Sequence, residues 1–166
     1  MTLSPRALGV ALVLAMAAPG IARAQGAEVA FGGLRADTSL PVEVTADVLS
    51  VNQTDGAATF SGNVLVVQGE MRLSADRVEV IYGNAERSRI ERLHASGRVT
   101  LVSGKDAAEA ADAVYTIESG AVEMTGDVLL TQGASTIAGE RLVVDLTSGT
   151  GKMEGRVKTI LQPGGN

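Results

Sequence analysis

A series of four Gly-x-Val triplets is spread along this chain, and its spacing constrains the fold more than any other feature. Gly62-Asn63-Val64, Gly97-Arg98-Val99, Gly126-Asp127-Val128 and Gly155-Arg156-Val157 stand 35, 29 and 29 residues apart. A second series interleaves with them: Ala46-Asp47, Ala75-Asp76, Ala111-Asp112 and the degenerate Gly139-Glu140. From glycine to the next acid the steps are 14, 15 and 14 residues. Such regularity indicates one supersecondary unit used several times, each burying its apolar face against its neighbours. On this reading Asp47, Asp76 and Asp112 occupy one repeat position and share a structural task, such as hydrogen bonding near a turn or strand start.

The unit is a strand. Asn63–Gln68, Arg98–Val102 and Asp127–Gln132 are rich in β-branched and aliphatic residues and end at glycine-containing turns. The acid-led runs Arg77–Tyr82 and Arg141–Leu146 behave alike, and turns are expected at Asp55-Gly56, Gly83-Asn84, Ser119-Gly120 and Ser148-Gly149. Lys105–Asp112 has a helical composition, but its place in the repeat predicts a strand. Residues 84–92, with Arg87, Arg89 and Arg92, read as an inserted loop leading into a strand around 90–95.

Placing the repeats in register produces columns. Two residues before each glycine stand Phe60, Ala95, Met124 and Met153; two after stand Val64, Val99, Val128 and Val157; four after stand Val66, Leu101, Leu130 and Thr159. Side chains at i, i+2 and i+4 share a face of a strand, so these residues form one nearly apolar wall. The glycines between them are expected to bend or bulge the strand.

The N-terminus reads as an address. A positive charge within Met1–Arg6 precedes twelve uninterrupted apolar residues, Ala7–Ala18, and Ala22-Arg23-Ala24 has the small-x-small form of a signal-peptidase site. The apolar run is shorter than the roughly 20 residues of a bilayer span, although an uncleaved anchor is the alternative. Cleavage after Ala24 would leave 142 residues and move the net charge from −5 to −7, since Arg6 and Arg23 would be lost. The expected organisation is a signal peptide at 1–24, a flexible segment at 25–40, one β domain at 41–162 and a tail at 163–166. The acidic balance disfavours nucleic acid, which is bound through Lys and Arg. The four aromatics, Phe31, Phe60, Tyr82 and Tyr115, are too few for a base-stacking surface. With no cysteine, the chain has neither disulfides nor thiolate chemistry.

Catalytic signals are weak. His94 is the single histidine and no Gly-x-Ser-x-Gly elbow accompanies it, so a structural histidine is favoured over a triad member. Gly149-Thr150-Gly151-Lys152-Met153-Glu154-Gly155 misses the dinucleotide fingerprint by one residue, and Ser103-Gly104-Lys105-Asp106 lacks the hydroxyl of a phosphate loop. The calcium β-roll pattern is absent as well. No metal or cofactor is expected. The apolar wall then has two readings: an ordinary sandwich core, or a groove that shelters lipid chains. Each methylene removed from water is worth about 0.8 kcal/mol, and small or flexible linings suit disordered acyl chains.

The order Pro41-Val42-Glu43-Val44-Thr45-Ala46-Asp47, Ala58-Thr59-Phe60-Ser61-Gly62-Asn63-Val64 and Leu73-Ser74-Ala75-Asp76-Arg77-Val78 resembles the OstA-like family of lipopolysaccharide-transport proteins. Val122–Val128 and Ile137–Leu142 continue the pattern, so the resemblance covers about 41–162. It implies an all-β fold, an open antiparallel β-jelly roll of about sixteen short strands in two sheets forming a V. It also implies a non-enzymatic protein of the Gram-negative periplasm. Lipopolysaccharide acyl chains would lie between the sheets, and protomers would stack head to tail between LptC-like inner-membrane and LptD-like outer-membrane partners. Candidate lipid-lining residues come from the columns: Phe60, Val64, Val66, Ala95, Val99, Leu101, Met124, Val128, Leu130, Met153 and Val157. Arg87, Arg89 and Arg92 are either a solvated loop or contacts for lipid phosphates. A structural β-filament with a dry core is the competing function, and an LptC-like domain the competing family role.

Overall fold

The computed structural model describes residues 27–30, 34–54, 56–83 and 89–161. The expected signal peptide, the tail at 163–166 and Arg87 lie outside them. Eleven strands form one antiparallel sheet: β1 (Ala27–Ala30), β2 (Glu43–Thr45), β3 (Val48–Val51), β4 (Ala58–Gln68), β5 (Met71–Tyr82), β6 (Ile90–Ser103), β7 (Asp106–Thr116), β8 (Ala121–Gln132), β9 (Ser135–Asp145), β10 (Thr150–Glu154) and β11 (Lys158–Ile160). From β4 to β10 each strand pairs with its successor, while β2 and β3 both pair with β4, and β10 and β11 both pair with β9. β1 returns to pair with β10.

This order is a meander folded over on itself. Ladder register breaks between Ser61 and Val64 in β4, between Ser96 and Val99 in β6, and between Thr125 and Val128 in β8. At each break the glycine and its follower are both left-handed: Gly62 and Asn63 (φ 78 and 47), Gly97 and Arg98 (75 and 47), Gly126 and Asp127 (85 and 49). Gly155 and Arg156 repeat the conformation between β10 and β11. Two left-handed residues in succession insert an extra residue into one strand and swing it, which is the bend expected of these glycines.

The bends divide the ladder into two halves. In one, β3 pairs the first part of β4 (58–61), and the ladder continues through β9 (141–145) to β10 and β1. In the other, β2 pairs the second part of β4 (65–67), and the ladder ends with β11 on β9 (136–138). The halves face each other: the hydroxyl of Tyr115 in the first donates to Gln68 Oε1 in the second at 2.5 Å, and both side chains are buried. Among the described residues no helix occurs, and the outermost strands do not pair to close a barrel. The architecture is therefore the expected open antiparallel V. Its strands are counted as eleven rather than about sixteen because β4 to β9 each run unbroken through the bend.

Two local expectations hold and one is revised. From Asp106 on, the run of helical composition is strand β7, as its place in the repeat predicts, because ladder partners on β6 and β8 outweigh intrinsic propensity. The strand expected around 90–95 is the start of β6, which begins at Ile90, while residues 84–88 lie outside the described residues. Within the stretch expected to be flexible, β1 is paired to β10 and Leu34 is fully buried in the core.

Candidate functional site

The wall read from the columns lines the seam between the two halves. Val64, Val66, Ala95, Val99, Leu101, Met124, Val128, Leu130 and Met153 are each at most 1 % exposed and belong to one core cluster. Phe60 is half-buried and packs against it. Val157 does not join them. It is 37 % exposed, and Thr159 is exposed too, because the bend at Gly155-Arg156 ends β10 and turns the chain away before β11.

The strands between the columns, which the column reading left out, fill in the same inner faces: Val78 pairs with Phe60 and Ala95, and Leu73 with Val66 and Leu101. Leu73, Val78 and Val80 on β5, Ala113 and Tyr115 on β7, and Leu142 and Val144 on β9 complete the seam. In β5 the buried positions run 71, 73, 75 and then 78, 80, so alternation slips by one at the Ala-Asp pair. β7 slips likewise, from Asp106 and Ala108 to Ala113 and Tyr115. Alternation within each half was visible in the sequence. The slip was not, because the extra residue that causes it sits on the neighbouring strand.

That slip corrects the acid series. The side chains of Asp47, Asp76 and Glu140 lie against Gly62, Gly97 and Gly155, where an added Cβ would come within 2.6 Å of each. The neighbour of Gly126 is Ala111, 2.7 Å from such a Cβ, and not Asp112. The repeat position in the third unit is therefore an alanine. Asp112 belongs one residue further on, where its Oδ1 lies 3.3 Å from His94 Nε2 across the β6–β7 ladder. The degenerate Gly139 has a steric cause, since a Cβ there would lie 2.7 Å from Met153 Sδ.

Three of the four bends also carry a polar pair. Asn63 Nδ2 donates to Asp47 Oδ2 at 2.8 Å, Arg98 Nε donates to both Asp76 oxygens at 3.1 Å, and Arg156 Nε lies 3.5 Å from Glu140 Oε1. In the third unit the residue after glycine is Asp127, and the acid facing it is absent. The hydrogen bond from Arg98 holds the Asp76 carboxyl below its usual range despite its exposure. A second network lies on the outer face, with Arg141 between Glu123 Oε1 (2.8 Å) and Glu154 Oε2 (2.6 Å). Both glutamates are held below their ordinary values: Glu123 by Arg141, Glu154 by Lys152 and then Arg141. These groups brace the outer surface. None faces the apolar seam.

Where the columns continue one step further, toward the open ends of the strands, the lining turns polar. Gln68, Ser103 and Gln132 stand six residues after Gly62, Gly97 and Gly126. Gln68 and Ser103 are each 1 % exposed, while Gln132 donates through Nε2 to buried Asp106 at 2.9 Å. The seam is thus apolar along its length with a row of polar side chains at its mouth, which is the polarity profile of a site for an amphiphile. No acid–base or nucleophilic constellation faces it. The His94–Asp112 pair lies half-exposed on the outside, and no cluster suited to a metal ion occurs among the described residues. Of the candidate phosphate contacts, Arg89 pairs with Glu118 at 3.3 Å and Arg92 with Glu91 at 3.3 Å.

Residues 43–150 match the family described as LptA/(LptD N-terminal domain) LPS transport protein. The lipopolysaccharide export system protein LptA of Escherichia coli K12 is 29 % identical over 140 residues, covering 76 % of this chain and 74 % of that protein. An uncharacterized protein of Rhizobium meliloti is 29 % identical over 170 residues, covering 95 % of this chain and 90 % of the relative. The crystal structure of LptH, the LptA-homologous periplasmic component of the lipopolysaccharide transport device of Pseudomonas aeruginosa, superposes with a TM-score of 0.68 at 19 % identity. That match covers 77 % of this chain and 99 % of LptH and is a likeness of fold.

Proposed function

This chain belongs to the LptA/(LptD N-terminal domain) family of LPS transport proteins, and we propose that it carries lipopolysaccharide across the periplasm by sheltering its acyl chains between the halves of the V. One observation carries the reading: the columns from Val64, Val66, Ala95, Val99, Leu101, Met124, Val128, Leu130 and Met153 converge on a single apolar seam with a polar mouth. Valine, methionine and alanine supply seven of those nine side chains, and the flexible methionines adapt to disordered hydrocarbon. Transfer would require the halves to part, exchanging side-chain contacts for acyl contacts of similar apolar area.

The protein's part in this reading is non-enzymatic, with directionality supplied by others. It would reach the periplasm through the leader ending near Ala24 and bridge LptC-like and LptD-like partners. The free edges suit head-to-tail association. Val48, Leu49 and Val51 of β3 are 53, 55 and 59 % exposed, and Ile160 of β11 is 51 % exposed. An edge strand with unpaired backbone groups and exposed apolar side chains is a template for another strand, and a contact between unlike edges propagates rather than closes.

Photo-crosslinking amino acids at Val66, Leu101 and Met124 in living cells test the carrier. Adducts containing lipopolysaccharide are expected at all three, and none at exposed Arg72. Crosslinks confined to the protein's own strands would instead assign the seam to a dry scaffold core.

A further inference from the structure

The mouth of the V is already filled, by the chain's own residues 34–40. Leu34 is fully buried within the core cluster, and Ala36 packs against it. This strap is held by both halves. From one, Leu146 O accepts from the Ala36 amide at 3.1 Å and Ser148 O accepts from Arg35 Nη2 at 2.7 Å. From the other, Gln68 Nε2 donates to Thr38 O (3.1 Å) and Leu40 O (2.8 Å), and Ser103 Oγ donates to Arg35 O.

Gln68 and Ser103 are two of the three buried polar side chains among the described residues. A glutamine and a serine at the end of an apolar column are costly unless acceptors come to them. All of their bonds to the strap are to backbone carbonyl oxygens, so this grip does not read the strap's side chains. What it selects is an apolar body followed at once by carbonyl oxygen, as in Leu34 followed by the Arg35 carbonyl. An acyl chain joined to its headgroup by an ester or amide has the same order.

We propose that residues 34–40 are a built-in competitor for lipid, and that Gln68 and Ser103 form a carbonyl-binding rim that takes the ester or amide groups of an acylated lipid once the strap leaves. The inference rests on the carrier reading and adds to it a gate and a headgroup-proximal site. Because binding must displace a bonded segment, apparent affinity is lowered by the fraction of molecules that are closed.

The full chain, purified with and without lipopolysaccharide, is examined by hydrogen exchange, with the 34–40 segment as the readout. Exchange there is expected to rise about tenfold with lipid, and Leu34→Asp to tighten lipopolysaccharide binding about fivefold by weakening the closed state. Should Leu34→Asp fold poorly by circular dichroism, Leu34→Ala serves with a smaller expected gain. Adding Gln68→Leu and Ser103→Ala to the opened variant is expected to weaken lipopolysaccharide about fivefold. Binding of dodecyl maltoside, which has an alkyl tail and no carbonyl, is expected to hold steady. Lipid binding with unchanged protection of 34–40 overturns the strap and leaves the carrier standing. Equal losses for both ligands, or none, overturn the carbonyl rim. Absence of lipopolysaccharide binding by native and opened chains alike overturns the carrier reading itself.

Discussion

At Gly97 the backbone sits at φ 75, and an added Cβ would lie 2.6 Å from Asp76 Oδ2. Gly97→Ala therefore combines the cost of a left-handed alanine, about 1–2 kcal/mol, with displacement of the Asp76–Arg98 pair. Urea unfolding should show a loss of at least that size, whereas Gly133→Ala, where an added Cβ meets nothing within 4 Å, should lose only the conformational part. Tyr115 supplies a second single-residue test. Burial pushes its phenol pKa up, and its hydroxyl satisfies buried Gln68 Oε1. Tyr115→Phe leaves that oxygen without its donor at a cost of about 1–3 kcal/mol, read as a lower urea midpoint at unchanged slope. The glycine positions and their bends were legible from spacing alone. The Tyr115–Gln68 bond was not, because the partners are 47 residues apart and meet only when the halves fold together.

Among the strands, the bends form a ladder of near-identical corners whose third rung is chemically different. Asp47–Asn63, Asp76–Arg98 and Glu140–Arg156 pair an acid with a donor, whereas Ala111 faces Gly126-Asp127. A carboxylate at both 111 and 127 would place like charges at one corner. Ala111→Asp alone should thus destabilise, and adding Asp127→Arg should recover stability. The double-mutant cycle is expected to return a favourable coupling of about 0.5–1 kcal/mol, modest because the corner is exposed. A coupling of zero would mean that the third corner is not equivalent to the others. The sequence assigns Asp112 to this position because it completes an Ala-Asp pair, although it stands 15 residues after its glycine where Asp76 and Glu140 stand 14. Ala111 stands at the constant 14-residue step and lies against Gly126, and a displacement of one residue along a strand puts a side chain on the opposite face.

Over the whole molecule, acid should unfold the protein through its braced carboxylates. Asp76 is held low by Arg98, Glu123 by Arg141, Glu154 by Lys152 and Arg141, and Asp145 by the backbone amides of Ser148 and Thr147. A carboxyl whose folded pKa is depressed contributes stability above its unfolded value and loses it as pH falls through the folded one. Since unfolded carboxyls titrate near 4, Tm is expected to be flat from about pH 8 to 5 and to fall below about pH 4. A decline already complete by about pH 5.5 would assign acid sensitivity to other groups.

The sequence by itself determined the repeat, the strand type, the bends and the apolar columns, because each depends on a glycine or on alternation within a few residues. Tertiary structure alone decided the rest. The side chains that β5, β7 and β9 add between the columns, the polar mouth, the exposure of Val157 and the burial of Leu34 depend on how the strands align and which halves meet across the V. That choice is made by ladder register and by contacts between residues far apart in the chain. Local periodicity shows that a face will be buried. Only the folding of one half over the other shows what buries it.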